Sequence, residues 1–440
     1  MSGAGERRVP AEHGRTLVRG GRLVDPTQDL DGRYDLLIED GRVARIDGTI
    51  ERRDGDAIVE AAGLVVAPGL IDMHVHLREP GHEYKETVRT GTISAAAGGF
   101  TAVACMANTE PVNDNRSVTE HILTEARRHG FARVYPIGAI SKGLKGEELS
   151  EVGELVEAGA VALSDDGRPV SNAELMRRVL LYSQQFGVRV IQHAQDLDLT
   201  AGGVMHEGEV SACCGMAGIP GAAEDVMVAR DLILLEDNGG KYHVAHLSTA
   251  RSLDLVRQAR RRGLDVTCEV TPHHLLLTDR MVSESGFSPD AKMNPPLRSS
   301  RDCEALIQGL CDGTVDAIAT DHAPHHADEK MRSFQDAPFG IVGLETSLAL
   351  CLDRLVHPGL VSMRRAIELL SCGPARALGV AGGTLRVGAV GDVTLFDPER
   401  ATTVDPSRLR SKSRNTPFAG WTLRGAAVRT LLGGRAVELP

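Results

Sequence analysis

His74 and His76 flank a single residue at the end of an apolar run, and Arg78 follows at the same interval. The stretch reads Asp72-Met73-His74-Val75-His76-Leu77-Arg78-Glu79-Pro80-Gly81. On an extended strand alternate side chains face the same way, so these three point toward one place. Two neutral imidazoles on one face can share a divalent cation, and a guanidinium in the same row offers a fork for a carboxylate. Metal-assisted chemistry on an anionic substrate is what these types and spacings suit. Further ligand-type residues close other β-rich runs: Asp165-Asp166-Gly167, His193 in Gln192-His193-Ala194, His246 in Ala245-His246-Leu247-Ser248, and Thr320-Asp321-His322-Ala323-Pro324-His325.

The elements that must position them are β runs alternating with helical periodicity, the pattern of βα units around a parallel sheet. Eight strands are expected at 65–76, 100–106, 133–138, 160–164, 188–193, 242–246, 264–270 and 315–321. Helical stretches such as 120–129, 173–186, 224–235 and 249–262 lie between them. Eight strands with crossover helices make a (β/α)8 TIM-type barrel, whose active sites form at the C-terminal strand ends. His74, His76, His193, His246 and the carboxylates of strands four and eight all fall at those ends. A doubly wound open sheet is the alternative, but no Gly-rich phosphate fingerprint follows the first strand. The flanks have another texture, short β segments with Gly-Asp-Asn-type turns, at 15–66 and again after 383. Neither flank can bury a core alone, so both termini are expected to build one small β-sandwich from 15–66 plus 383–440, beside a catalytic barrel at 67–382. Residues 1–14 are polar and Gly-rich and are expected to be a disordered terminus.

A chain of 440 residues with 42% hydrophobic content can hold such a barrel and a second small domain. A formal net charge of -11 excludes a nucleic-acid or anionic-membrane surface, because no basic stripe is present to neutralise phosphates. No apolar stretch is long enough to span a bilayer, and the first fifteen residues lack the apolar segment of a secretory signal. A cytoplasmic location is expected. The eight cysteines form no CxxC pair and read as reduced, mostly buried thiols.

The ordered set of HxH on strand one, single His on strands five and six, and Asp on strand eight resembles the amidohydrolase superfamily. The resemblance covers essentially the whole chain. Many members bridge two metals with a carboxylated lysine on strand four. This chain has seven lysines, none of them within 160–167. It offers Asp165-Asp166 there instead, which is similar to the bacterial class I dihydroorotases. The resemblance implies two divalent ions, expected to be Zn²⁺, with Mn²⁺, Co²⁺ or Fe²⁺ also compatible with mixed N/O ligation. His74, His76 and Asp321 hold one, His193 and His246 the other, and Asp166 bridges them, with Asp165 left open by sequence. It also implies that Arg78, Asn108 and His325 grip a substrate carboxylate, that His76, Asn294, Phe339 and Gly340 contact the ring, and that Asp321 is the catalytic acid/base. His273 and His274 near strand seven read as structural, and the histidine-rich segment 322–330 as a mobile loop.

The activity so implied is the reversible cyclisation of N-carbamoyl-L-aspartate to L-dihydroorotate plus water in pyrimidine biosynthesis, through a metal-bridged hydroxide. An allantoinase or hydantoinase acting on a neutral cyclic amide is one alternative; Arg78 and the missing strand-four lysine argue against it. The other is a non-catalytic subunit that scaffolds aspartate transcarbamoylase, against which stands the complete ligand set. A homodimer, and association of an active enzyme with aspartate transcarbamoylase, are family expectations.

Overall fold

The computed structural model describes residues 14–440. The terminus expected over 1–14 therefore lies, except for Gly14, outside the described residues.

The central domain is built on eight parallel strands in chain order: Leu70–Val75, Phe100–Cys105, Arg133–Gly138, Ala162–Ser164, Arg189–Gln192, Tyr242–Val244, Val266–Val270 and Ala317–Ile318. Each is paired with its neighbours in sequence. The ring closes where Val75 bridges His322 and the His76 N–H donates to the His322 carbonyl at 2.9 Å. The strands are short apolar runs buried on both faces, as helix-covered parallel strands must be; Phe100–Cys105 is buried at every residue. The covering helices carry one apolar stripe. In Ala250–Arg261, Leu253, Val256 and Ala259 face inward, and Thr249 caps the first turn by accepting from Ser252 N.

All eight expected strands are present, but the first is divided and the sixth and eighth stop early. The expected first strand is cut at Gly69: Val65–Pro68 pairs with terminal strands, and Leu70–Val75 enters the barrel. A methyl group on Gly69 would collide with the Thr101 side chain, so only glycine lets the chain turn there. Strands six and eight end before their functional residues, because His246 and Asp321 have left-handed backbones at φ 30° and 47°. Extended structure cannot run through such residues.

The second domain draws on both ends of the chain. Arg15–Asp25, Leu30–Glu39, Arg42–Asp47, Ala57–Glu60, Val65–Pro68, Val393–Thr403, Thr422–Leu432 and Arg435–Ala436 join in one sheet. The antiparallel pairing of Val65–Pro68 with Val393–Phe396 unites the two termini. Val18, Leu23, Leu36, Ile38, Val66, Val393, Leu395 and Leu431 form its shared core, so the sheet curls around its own apolar face. Barrel and sheet are tied by Arg133, whose guanidinium donates to both oxygens of Asp392 at 2.6 and 3.0 Å. Among the described residues no helix is long and apolar enough to cross a membrane. Cys105, Cys268, Cys303, Cys351 and Cys372 are buried, whereas Cys213 and Cys311 are exposed.

Candidate active site

At the C-terminal mouth of the barrel, four imidazoles surround two carboxylates, and none of the six residues is more than 5% exposed. His74 Nε2 lies 3.4 Å from an oxygen of Asp166 and 3.4 Å from one of Asp321. His76 Nε2 lies 3.1 Å from Asp321 and 3.4 Å from Asp166. His193 Nδ1 and His246 Nε2 approach Asp166 Oδ1 at 3.6 and 3.4 Å and each other at 2.8 Å. His74, His76 and Asp321 form one group whose donor atoms could hold a cation; His74, Asp166 and His246 form a second. His193 stands beside the second group without belonging to it.

The donor atoms fit a metal. His74 Nε2 and Asp166 Oδ1 are buried with no hydrogen-bond partner, which is costly unless something else satisfies them. The other nitrogens of three rings are committed: His74 Nδ1 to Glu269 at 2.6 Å, His76 Nδ1 to Asn108 Oδ1 at 2.9 Å, and His193 Nε2 to Gln195 Oε1 at 2.7 Å. A ring that donates its one N–H outward presents a lone pair inward. The mixed N/O set suits a divalent transition metal. Electrostatics point the same way. Burial opposes protonation of His74, yet the negative charges of Asp166, Asp321 and Glu269 outweigh it and raise its pKa well above the usual histidine range. A site that draws a proton onto a buried imidazole draws cations generally.

Asp166 reaches the cluster and Asp165 does not. Asp165 accepts from the backbone N–H groups of Ile140 and Ser141 at 2.7 and 2.9 Å, and from the Ser141 hydroxyl, so it anchors the loop after strand three. Burial pushes its carboxyl up to about 6. Backbone strain gathers at the mouth. Arg78, His246 and Asp321 are three of the seven non-glycine residues with positive φ among those described. Such conformations cost of order 1–3 kcal/mol each and persist only where surrounding structure enforces them. One enforcer is Asp72, a buried carboxylate that accepts from Thr320 N and His74 N and so pins strand eight beside strand one.

Arg78 and His325 meet above the cluster. The Arg78 guanidinium makes one hydrogen bond, from Nε to the Pro324 carbonyl at 3.2 Å, and has no carboxylate in ion-pair contact among the described residues. Burial, opposed by the more distant Asp321 and Asp166, lowers its pKa. His325 is 8% exposed, its Nδ1 3.4 Å from Lys85 Nζ and 3.3 Å from Glu329. Burial and then the charges of Arg78 and Lys85 hold it far below the usual histidine range, hence neutral.

The other expected contacts are placed less directly. Asn108 braces His76, and a Cβ on Gly167 (φ 82°) would press on its amide nitrogen at 3.2 Å. The Asn294 amide donates to Gln195 Oε1 at 2.8 Å and sits 3.3 Å from His193 Nε2. Gly340 donates its N–H to the Lys292 carbonyl, and its own carbonyl accepts from Asn415. Its contribution is space, since a Cβ there would lie 2.8 Å from the His325 ring. The neighbouring Phe339 ring lies under Lys292 Nζ at 4.6 Å. His273 and His274 are buried behind the cluster; His274 spans Thr271 and the Pro295 carbonyl. The segment expected as a mobile loop forms a helical turn, Ala327–Lys330, capped by His326.

Two residues escaped the sequence reading. Glu269 had a local signal, a lone charge in the apolar run Val266–Val270. Asn415 had none.

An eight-stranded barrel whose mouth gathers four imidazoles and two carboxylates, flanked by a sheet from both termini, is the architecture of a metal-dependent cyclic amidohydrolase. Residues 63–252 match a family model described as dihydro-orotase-like. A curated dihydroorotase of Anaeromyxobacter sp. (strain K) is 55% identical over 96% of this chain and 97% of its own length. One of Geobacter metallireducens is 52% identical over 96% and 99%. Among solved structures, an L-hydantoinase (dihydropyrimidinase) from Arthrobacter aurescens superposes with TM-score 0.87 at 27% identity, covering 97% of this chain and 96% of that one. A dihydropyrimidinase from Brevibacillus agri, at 23% identity and TM-score 0.85 over 96% and 95%, shares the fold. The chain belongs to the dihydroorotase family.

Proposed function

We propose that this chain is a zinc-dependent dihydroorotase that interconverts N-carbamoyl-L-aspartate and L-dihydroorotate. The observation that carries the substrate is Arg78, a half-buried guanidinium with no carboxylate in ion-pair contact among the described residues, set beside neutral His325 at the rim of the His/Asp cluster. An unpaired buried cation is costly, and the ring carboxylate of dihydroorotate would supply the missing anion. Hydantoin and allantoin carry no carboxylate for that position.

His74, His76 and Asp321 would hold one divalent ion, and His193 and His246 a second, with Asp166 between them. Three buried carboxylates, Asp166, Asp321 and Glu269, favour two dications over one. Bound there, the ions supply Lewis-acid polarisation of the ring carbonyl and a water of lowered pKa. Arg78 and His325 hold the substrate carboxylate and set which carbonyl faces the cluster; Asn108 keeps His76 in register. In ring opening, an oxygen from water adds to the carbonyl carbon and the ring C–N bond breaks. Asp321 takes the water's proton and returns it to the departing nitrogen. Interactions with His74 and His76 outweigh burial and keep its carboxyl below the usual range, ionised and able to accept. Ring closure reverses each transfer. The cytoplasm as compartment, a homodimer as working unit and aspartate transcarbamoylase as a partner belong to the same reading.

The test pairs metal stoichiometry of the purified protein with ring-opening rates on L-dihydroorotate, hydantoin and allantoin. Two ions per subunit and a clear preference for dihydroorotate are expected, with activity lost on chelation and restored by Zn²⁺. Faster allantoin or hydantoin turnover overturns the substrate; a metal-replete protein that binds no ion overturns the chemistry.

A further inference from the structure

Glu269 lies on barrel strand seven, yet its carboxylate is bound by residues of strands one and six. Oε1 accepts from His74 Nδ1 at 2.6 Å and from the His246 backbone N–H at 3.2 Å. Oε2 accepts from His243 Nε2 at 3.2 Å. His243 Nδ1 lies 2.7 Å from Thr267 Oγ1, and the hydroxyl must donate, because a neutral ring donating through Nε2 keeps its lone pair on Nδ1. His74, Glu269 and His243 are fully buried, and no lysine or arginine pairs with the carboxylate among the described residues.

The tautomer of His74 is a real choice. Its Nε2 faces Asp166 and Asp321, each at 3.4 Å, and either carboxylate would welcome an N–H from it. A proton there would close the ring to a metal. Glu269 draws that proton to Nδ1 and leaves Nε2 with a lone pair. A carboxylate can do this only while Oε1 stays aimed at His74. His243 supplies the second fixed point, held in turn by Thr267, and makes no hydrogen bond to any other residue of the cluster.

We infer that Glu269 and His243 are a positioning pair: Glu269 sets His74 in the metal-binding tautomer, and His243 acts on the site only through Glu269. The inference rests on His74 being a metal ligand, as proposed above. Losing such a support behind a ligand typically weakens metal binding about 10- to 100-fold. Glu269→Gln keeps a weaker acceptor, so a loss of about tenfold is expected. His243→Leu should lose less, and His243→Gln, which keeps a donor near Nε2, should recover most of it.

The readout is metal affinity of the full chain, by competition with graded chelator, with thermal melting of each apoprotein alongside. The deciding measurement is the double variant. If His243 works through the carboxylate, Glu269→Gln/His243→Leu binds metal no more weakly than Glu269→Gln alone. Multiplying penalties, wild-type affinity in Glu269→Gln, or no recovery in His243→Gln overturns the inference. Should Glu269→Gln not fold, the two His243 variants decide by themselves. A wild-type chain that binds no divalent ion overturns the metal reading and this inference together, which separates the two failures.

Discussion

In the proposed reading, Arg78 and His325 divide the work of holding the substrate carboxylate between a permanent charge and a neutral hydrogen-bond donor. Burial first, then the charges of Arg78 and Lys85, hold His325 well below its ordinary pKa, so it stays neutral throughout the physiological range. A histidine that bound as a cation would lose affinity as pH rose through about 6.5. Here KM for dihydroorotate should be flat between pH 6 and 8. His325→Ala removes a hydrogen bond to a charged group, about 1.5–3 kcal/mol, so KM should rise roughly 10- to 150-fold. Metal content should stay at the wild-type value, because His325 bonds to Lys85, Glu329, Asn415 and the Phe339 backbone, none of them in the cluster; a lost ion in the variant sinks this division of roles. His74, His76, His193, His246 and Asp321 were legible in the sequence because the ends of apolar runs identify the barrel mouth. Glu269 was harder to read: its partner His74 is 195 positions away, and only the folded ring brings them together.

The elements that carry these residues depart from regular geometry where they reach the site. Runs of apolar residues predicted strands through His246 and Asp321, but the ladder ends at Val244 and Ile318 so that both side chains can turn inward. Periodicity reports which face is buried; it carries no signal for a left-handed residue enforced by a distant carboxylate such as Asp72. The helical turn Ala327–Lys330 is a similar case. The histidine-rich segment 322–330 that contains it reads as a mobile loop, yet Lys330 Nζ donates to the carbonyls of Pro289 and Pro338, both at 2.9 Å. Burial, against the attraction of Asp290, lowers the Lys330 pKa to about 7. In the unfolded chain it sits near 10.4, so between about pH 7 and 10.4 unfolding takes up a proton. Stability from this group is therefore full above pH 10.4 and lost as pH falls through 7. The melting temperature of wild type relative to Lys330→Met should climb from pH 7 to 9. A difference that does not change with pH would mean that Lys330 stays charged in its latch.

At the scale of the whole molecule, the two ends of the chain do more than build a sheet beside the barrel. After Val393–Thr403 the chain leaves that sheet and crosses to the barrel mouth before returning in Thr422–Leu432. On the way, Ser411 binds the buried Glu86 carboxylate, and Asn415 reaches the loop that carries His325. Its Oδ1 accepts from His325 N at 3.2 Å, and its Nδ2 donates to the carbonyls of Ala323 and Gly340, both at 3.0 Å. One side chain, 3% exposed, thus ties together the segments of Ala323–His325 and Gly340, 75 to 92 positions before it in the chain. The flank expected in the β-sandwich also reaches the barrel mouth. Asn415→Ala would leave one buried N–H and two carbonyls without a partner, each at about 1–3 kcal/mol. The segments can relieve that by parting to admit water, so the effect should fall on the aim of His325 rather than on the barrel core. KM for dihydroorotate should rise about tenfold or more, equivalent to at least about 1.4 kcal/mol of lost binding. Metal stoichiometry should remain that of the wild type, because the Asn415 side chain bonds to His325, Ala323 and Gly340 and to no residue of the cluster. Steady-state kinetics with metal analysis on the same preparation decide it: a wild-type KM would show that the loop aligns itself, and a fall in metal content would place Asn415 under the cluster rather than beside the substrate.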